Sequence, residues 1–235
     1  MSGSAAVMSG GAAAVFWIGA TYFLFVVSRA MHRRMGAWWS SPLLMTCGSC
    51  LALALCLHAS YGDYMRGGQW LLMLLGPATV AFALPIHEHR ALIRKHWQTL
   101  LVGLACGSLL AFGGTWLVSG WLGLSDGLRL AILPRSFTTP FAMAFASDVG
   151  GSPDLAAVCV ILTGVFGASI GGVLLRILPL RSSFARGMMF GMGAHGAGVA
   201  RAREVGAEEE AVAGLVMVLA GVGCALIGLA VSLLK

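Results

Sequence analysis

Residues 97–124 read WQTLLVGLACGSLLAFGGTWLVSGWLGL, 28 residues without one charge, directly after the basic stretch HEHRALIRKH at 87–96. A helix needs roughly 20 residues to cross a hydrocarbon layer about 30 Å thick, so this run predicts a membrane span. Trp97, Trp116 and Trp121 lie near its ends, where indole rings favour the lipid–water interface. The cluster holding Arg90, Arg94 and Lys95 predicts a cytoplasmic end, because cytoplasmic loops carry an excess of Lys and Arg.

Outward from that run the pattern repeats. Of the 235 residues, 58% are hydrophobic and 10% charged, and mean hydropathy is +0.87, which predicts lipid as the main solvent. Apolar runs at 11–27, 42–57, 70–86, 155–175 and 211–234 predict five further crossings. Basic clusters at 29–34 and 176–186 belong inside, and the weakly charged segments 58–69 and 125–127 outside. Residues 1–14 are small and uncharged, unlike a cleaved leader, so the first run is expected to stay in the membrane. The net charge of +6 sits at the ends of the runs and reads as a topology signal, with no nucleic-acid partner expected. Thirty-three glycines suit helices that pack closely through small residues. All six cysteines lie in apolar runs, where a thiol is a small hydrophobe. Cys47 and Cys50 have a redox spacing but lack the electropositive, accessible setting that chemistry needs.

Two segments do not fit full spans. Residues 136–147 are short, contain Pro140 and are flanked by Arg135 and Asp148; residues 187–200 are short and hold His195 among glycines. An odd number of crossings must separate the outside loop at 125–127 from the inside cluster at 176–186, so the first is expected to enter and leave on the outside. The second is expected to dip from the cytoplasm. The prediction is an all-α polytopic membrane protein in one domain, with about six full spans and two re-entrant or broken segments. A plain eight-span arrangement is the alternative.

Irregular backbone at membrane depth survives only where protein, water or a ligand satisfies its polar groups. Three segments pair helix breakers with hydroxyl or imidazole groups: Leu75-Gly76-Pro77-Ala78-Thr79, Pro134-Arg135-Ser136-Phe137-Thr138-Thr139-Pro140, and Gly193-Ala194-His195-Gly196-Ala197-Gly198. One such segment alone is best read as a repaired kink; three in one small protein predict half-helices meeting around a substrate. Arg135 and Arg201 adjoin two of them, and either lines an anion cavity or snorkels to a headgroup. Helix N-termini after Pro77 and Pro140 would add positive partial charge. His195 is the candidate for proton coupling, with a packing role as the plain alternative. Asp148, Asp154 and Glu204 read as solvated carboxylates, and Glu208, Glu209 and Glu210 as an acidic helix start. No phosphate loop, metal-ligand cluster or matched nucleophile and base is present, so neither enzyme, cofactor nor metal is expected. A faint likeness between Gly76-Pro77-Ala78-Thr79 and Thr138-Thr139-Pro140 hints at an inverted repeat.

At these segments the chain resembles the LrgB/CidB family of bacterial membrane proteins, related to the C-terminal half of the plastid glycolate/glycerate transporter. The resemblance runs from about Tyr22 to the end. It rests on Gly67-Gly68-Gln69-Trp70, Leu75-Gly76-Pro77-Ala78-Thr79-Val80-Ala81, Phe137-Thr138-Thr139-Pro140-Phe141-Ala142-Met143, Ile161-Leu162-Thr163-Gly164, and Ala194-His195-Gly196-Ala197-Gly198-Val199-Ala200-Arg201-Ala202. Ala144 and Ala220 stand where many members are expected to carry a carboxylate and an Asn, which moves the expected proton coupling to His195.

The resemblance implies a location in the bacterial cytoplasmic (inner) membrane and two kinds of role. One is export of small monocarboxylates or hydroxy acids, of the glycolate, glycerate, pyruvate or 3-hydroxypropionate class. The other is antiholin-like control of murein hydrolases and lysis with a small LrgA/CidA-type partner. The broken segments favour transport by alternating access, with Gly76, Pro77, Ala78, Thr79, Arg135, Ser136, Thr138, Thr139, Pro140, His195, Gly196, Gly198 and Arg201 as the substrate site. The glycine face at Gly164, Gly167, Gly171 and Gly172 would suit packing within a protomer or a homodimer.

Overall fold

The structure is a computed structural model that describes residues 10–35, 40, 42–74, 77, 80–81 and 83–234. It is all-helical among these residues. The chain falls into two compact units, Met1–Val80 and Ala81–Lys235, each described here by itself. Gly76, Ala78 and Thr79, and with them the hinted repeat, lie outside the described residues; Pro77 is helical and exposed.

In the first unit, α1 (Gly10–Met35) packs against α2 (Pro42–Cys56) and α3 (Tyr61–Met73). Gly67 makes the α1–α3 approach close, since a Cβ there would come within 2.7 Å of Trp17 Cβ and 2.9 Å of the Ala14 carbonyl oxygen. Trp17 meets the Tyr64 ring edge-on at 5.3 Å. A capping box starts α3: the Ser60 hydroxyl accepts from the Asp63 N–H and donates to its carboxylate. Those bonds hold the Asp63 carboxyl below the usual carboxylate range.

The second unit runs α4 (Ala83–Glu88), α5 (Arg90–Trp121), α6 (Asp126–Ile132), α7 (Thr139–Val149), α8 (Pro153–Ile177), α9 (Ser183–Val205) and α10 (Ala207–Leu233). Among the described residues, four helices are long and apolar enough to cross a membrane: α1, α5, α8 and α10. These are four of the six expected spans. The expected span at 42–57 is the shorter apolar helix α2, and that at 70–86 is shared between α3, α4 and the residues between them. Half of α10's apolar window is buried against 6% of α5's, so α10 is central and α5 peripheral. The buried cluster around α10 joins Phe137, Phe145, Ala220 and Cys224 at one level and Leu100, Val212, Leu215 and Val216 at another.

Both irregular segments turn back on themselves. The α6–α7 segment reverses through a turn at 133–138, where the Arg135 N–H bonds the Ile132 carbonyl and the Phe137 N–H bonds that of Pro134. Its return is fixed at Gly151, whose Cβ position lies 2.8 Å from the Ala131 nitrogen. Pro140 sits in the first turn of α7, where a missing N–H costs nothing, and Gly150 ends the helix at φ 89°. The second segment is α9, which breaks at His195 with φ 37° and ψ −121°. Eight residues of straight helix span about 12 Å, yet Gly198 packs against the carbonyl oxygen of Phe190. Arg186, near the start of α9, binds Glu209, just past its end, at 2.7 Å, whereas a straight helix would hold those ends roughly 28 Å apart. The two halves of α9 therefore fold into a hairpin with both feet at one end and His195 at the tip. Residues 183–205, longer than the 187–200 expected from sequence, are the second broken segment.

Candidate functional site

The two tips meet at the middle of α8. Gly164 and Gly167 lie near the centre of that 25-residue helix, and both are needed to admit the α9 tip. A Cβ on Gly164 would come within 2.6 Å of the His195 ring, and one on Gly167 within 2.5 Å of the Gly193 carbonyl oxygen. From the opposite direction comes the α6–α7 turn, whose Arg135 and Ser136 share one cleft with Gly193 of the α9 tip. Two segments entering from opposite ends thus touch at mid-span.

Arg135 is held from two helices. Its Nε donates to Thr115 Oγ1 of α5 at 3.1 Å and its Nη1 to Thr163 Oγ1 of α8 at 3.5 Å. No ion pair among the described residues involves it. A guanidinium at mid-span without a carboxylate is costly to bury, so its hydroxyl partners and remaining donors matter. It opens on a cleft of about 360 Å³ lined on the polar side by Arg135, Ser136, Thr163 and the Gly193 backbone, and on the apolar side by Leu162, Phe166 and Ile170. No acidic side chain lines it.

Two buried polar atoms near these tips have no hydrogen-bond partner: Thr138 Oγ1 and His195 Nε2. Thr138 is the N-cap of α7 in extended conformation, yet its hydroxyl makes no cap bond, which leaves the first N–H groups of α7 without that acceptor. Thr139 and Pro140 form the first turn of the same helix, so its positive end faces the tip region. Such an end is a ready site for an anion.

The expected site residues are therefore only partly assembled. The structure brings together Arg135, Ser136, Thr138, Thr139, Pro140 and His195. Gly196 follows the break with open space on its Cβ side, and Gly198 is the close-packing point of the hairpin. Arg201 does not join them: it is half exposed, lies over Gly172 and pairs with Glu204 one turn on. Its charge is answered locally, on the outer side of α9. Pro77 is exposed on the first unit. Thr115, Thr163 and the apolar wall Leu162, Phe166 and Ile170 were not anticipated as site residues. Of these Leu162 and Thr163 carried a signal, inside the stretch Ile161-Leu162-Thr163-Gly164 on which the family resemblance rests.

The chain has relatives among known proteins. Residues 21–233 match the LrgB-like family model. In Bacillus subtilis (strain 168), the uncharacterized protein YwbG is 35% identical over 202 residues, covering 86% of this chain and 90% of its own length. YxaC, also uncharacterized, is 33% identical over 198 residues, covering 84% of each. The antiholin-like protein LrgB is 28% identical over 209 residues, covering 86% of this chain and 90% of its own. No solved structure matches the chain. With a family model matched over residues 21–233 of a helical membrane protein, the chain belongs to the LrgB-like family.

Proposed function

We propose that the protein is a secondary transporter that moves a small monocarboxylate or hydroxy acid across the bacterial inner membrane by alternating access. The observation that carries this reading is the meeting of two oppositely entering tips at the middle of α8, around one guanidinium that no carboxylate neutralises. Arg135 takes the carboxylate through the donors its threonine partners leave free. One cation and no acidic lining residue suit a monoanion; an amino acid would bring an ammonium with no partner, and a dicarboxylate a second charge with none. Thr138 Oγ1 and His195 Nε2, buried without partners behind the cleft wall, would meet a substrate hydroxyl once the tips move apart. His195 is the titratable group for proton coupling. No bond of the substrate is made or broken.

Proteoliposomes holding the purified chain test this with labelled glycolate, glycerate, pyruvate and 3-hydroxypropionate. Saturable uptake of at least one, lost in Arg135→Gln while the variant remains folded, is the expected result. Uptake of all four at the level of empty vesicles overturns it.

A second reading follows from the name of one relative, the antiholin-like LrgB. Here the chain would regulate murein hydrolase export and lysis with a small LrgA/CidA-type membrane partner, and its broken helices would serve packing. Thr139→Val and His195→Ala separate the two: a transporter loses substrate binding, a regulator loses partner association or lytic control.

A further inference from the structure

Outside the transport site, the start of α5 carries the most unusual charge arrangement of the second unit. α5 breaks its helical geometry at His96 (φ −120°, ψ 22°). Beyond that point, residues 97–121 alone give about 37 Å of helix, more than the hydrocarbon requires. Arg90 to Lys95 is thus a stub outside the hydrocarbon, level with the lipid phosphates, with Trp97 at the boundary. The stub has two faces. Leu92 and Ile93 pack onto the Leu100 and Val212 cluster, while Arg90, Ala91, Arg94 and Lys95 turn outward and line a recess of about 330 Å³. No acidic side chain lines the recess, and no ion pair among the described residues engages its three cations. Among the described residues the Arg90 guanidinium hydrogen-bonds the imidazole of His87, at 2.8 Å. Three cations around one recess repel each other unless an anion sits among them.

We propose that this recess binds the phosphate of an anionic phospholipid, from the leaflet that the positive-inside rule makes cytoplasmic. Its depth, its one-signed lining and its outward opening all match a headgroup, and none of them depends on the transport reading. A basic residue near an anionic surface is worth about a fivefold gain in binding, so neutralising all three weakens it on the order of a hundredfold.

Native mass spectrometry of the full chain in detergent, titrated separately with phosphatidylglycerol and phosphatidylcholine, tests the assignment. The wild type is expected to retain phosphatidylglycerol at concentrations where phosphatidylcholine is lost. R90Q/R94Q/K95Q should lose that preference, R90K/R94K should keep it, and R33Q/R34Q on the other unit should leave it intact. Should the triple variant fail to fold, R94Q and K95Q singly are each expected to weaken phosphatidylglycerol about fivefold. Equal retention of both lipids by the wild type, or unchanged binding in these variants, overturns the proposal. Displacement of phosphatidylglycerol by millimolar inorganic phosphate would overturn it too, by assigning the recess to a soluble anion.

Discussion

Arg135 leans its guanidinium on hydroxyls from two separate helices, which fixes where its other N–H donors point. Arg135→Lys keeps the charge but loses the planar fork, and Arg135→Gln loses both. Because hydrogen bonds to charged groups are worth about 1.5–3 kcal/mol, Arg135→Gln is expected to weaken binding of its carboxylate at least tenfold, with Arg135→Lys intermediate. Thermal shift of the detergent-solubilised variants across carboxylate concentration measures both; equal shifts in wild type and Arg135→Gln would remove Arg135 from the site. The turn at Arg135 and the break at His195 were legible because helix breakers surround them at a depth where loose backbone is costly. Thr115 was not, since nothing in a sequence says which of many hydroxyls will face an arginine 20 residues on. Arg201 was misplaced for an instructive reason. Glu204 stands three residues later on the same helix, and that near neighbour wins over a distant cavity.

Elements show the same division. Short length, with Pro140 in one and glycines in the other, marked segments 136–147 and 187–200 as broken, but only the Gly198–Phe190 approach and the Arg186–Glu209 pair reveal that α9 is a hairpin. A contact 23 residues apart leaves no local trace. Glu209 is 5% exposed and takes two donors of Arg186, whose Nη1 also ties down the Leu180 carbonyl. Glu209→Gln leaves the guanidinium facing a neutral amide, so the hairpin feet loosen; a melting temperature several degrees below wild type is expected, and no change would mean the pair is incidental. At the hairpin tip, Gly167→Ala puts a methyl against the main-chain oxygen of Gly193, which cannot swing aside. A loss of about 1–3 kcal/mol is expected, read as reduced thermal stability. Gly214→Ala, where nothing lies within 4 Å, serves as the neutral control.

Across the whole molecule, hairpins entering from opposite sides make a topological claim that chemical labelling can check. On a background with the native cysteines replaced, cysteines at Arg181 and Glu208 are expected to react from one face of the membrane. Cysteines at Gly127 and Asp148 should react only from the other. Labelling of the first pair from opposite faces would mean that α9 crosses the membrane, and the meeting of tips at α8 would fall with it. Class and the four full-length spans were legible at this scale because lipid imposes length and hydropathy directly on sequence. How the segments dock was not, because close backbone approaches such as Gly167 to Gly193 depend on shape rather than polarity. If the cleft carries a monoanion as proposed, its guanidinium also sets an electrical signature. A monoanion carried by itself is a net current, and an inside-negative voltage pushes it outward with about 2.3 kcal/mol per 100 mV. The same anion travelling with one proton on His195 is electrically silent. Whether clamping the voltage alters flux therefore reports, without any knowledge of which acid is moved, whether the imidazole at the tip carries a passenger of its own.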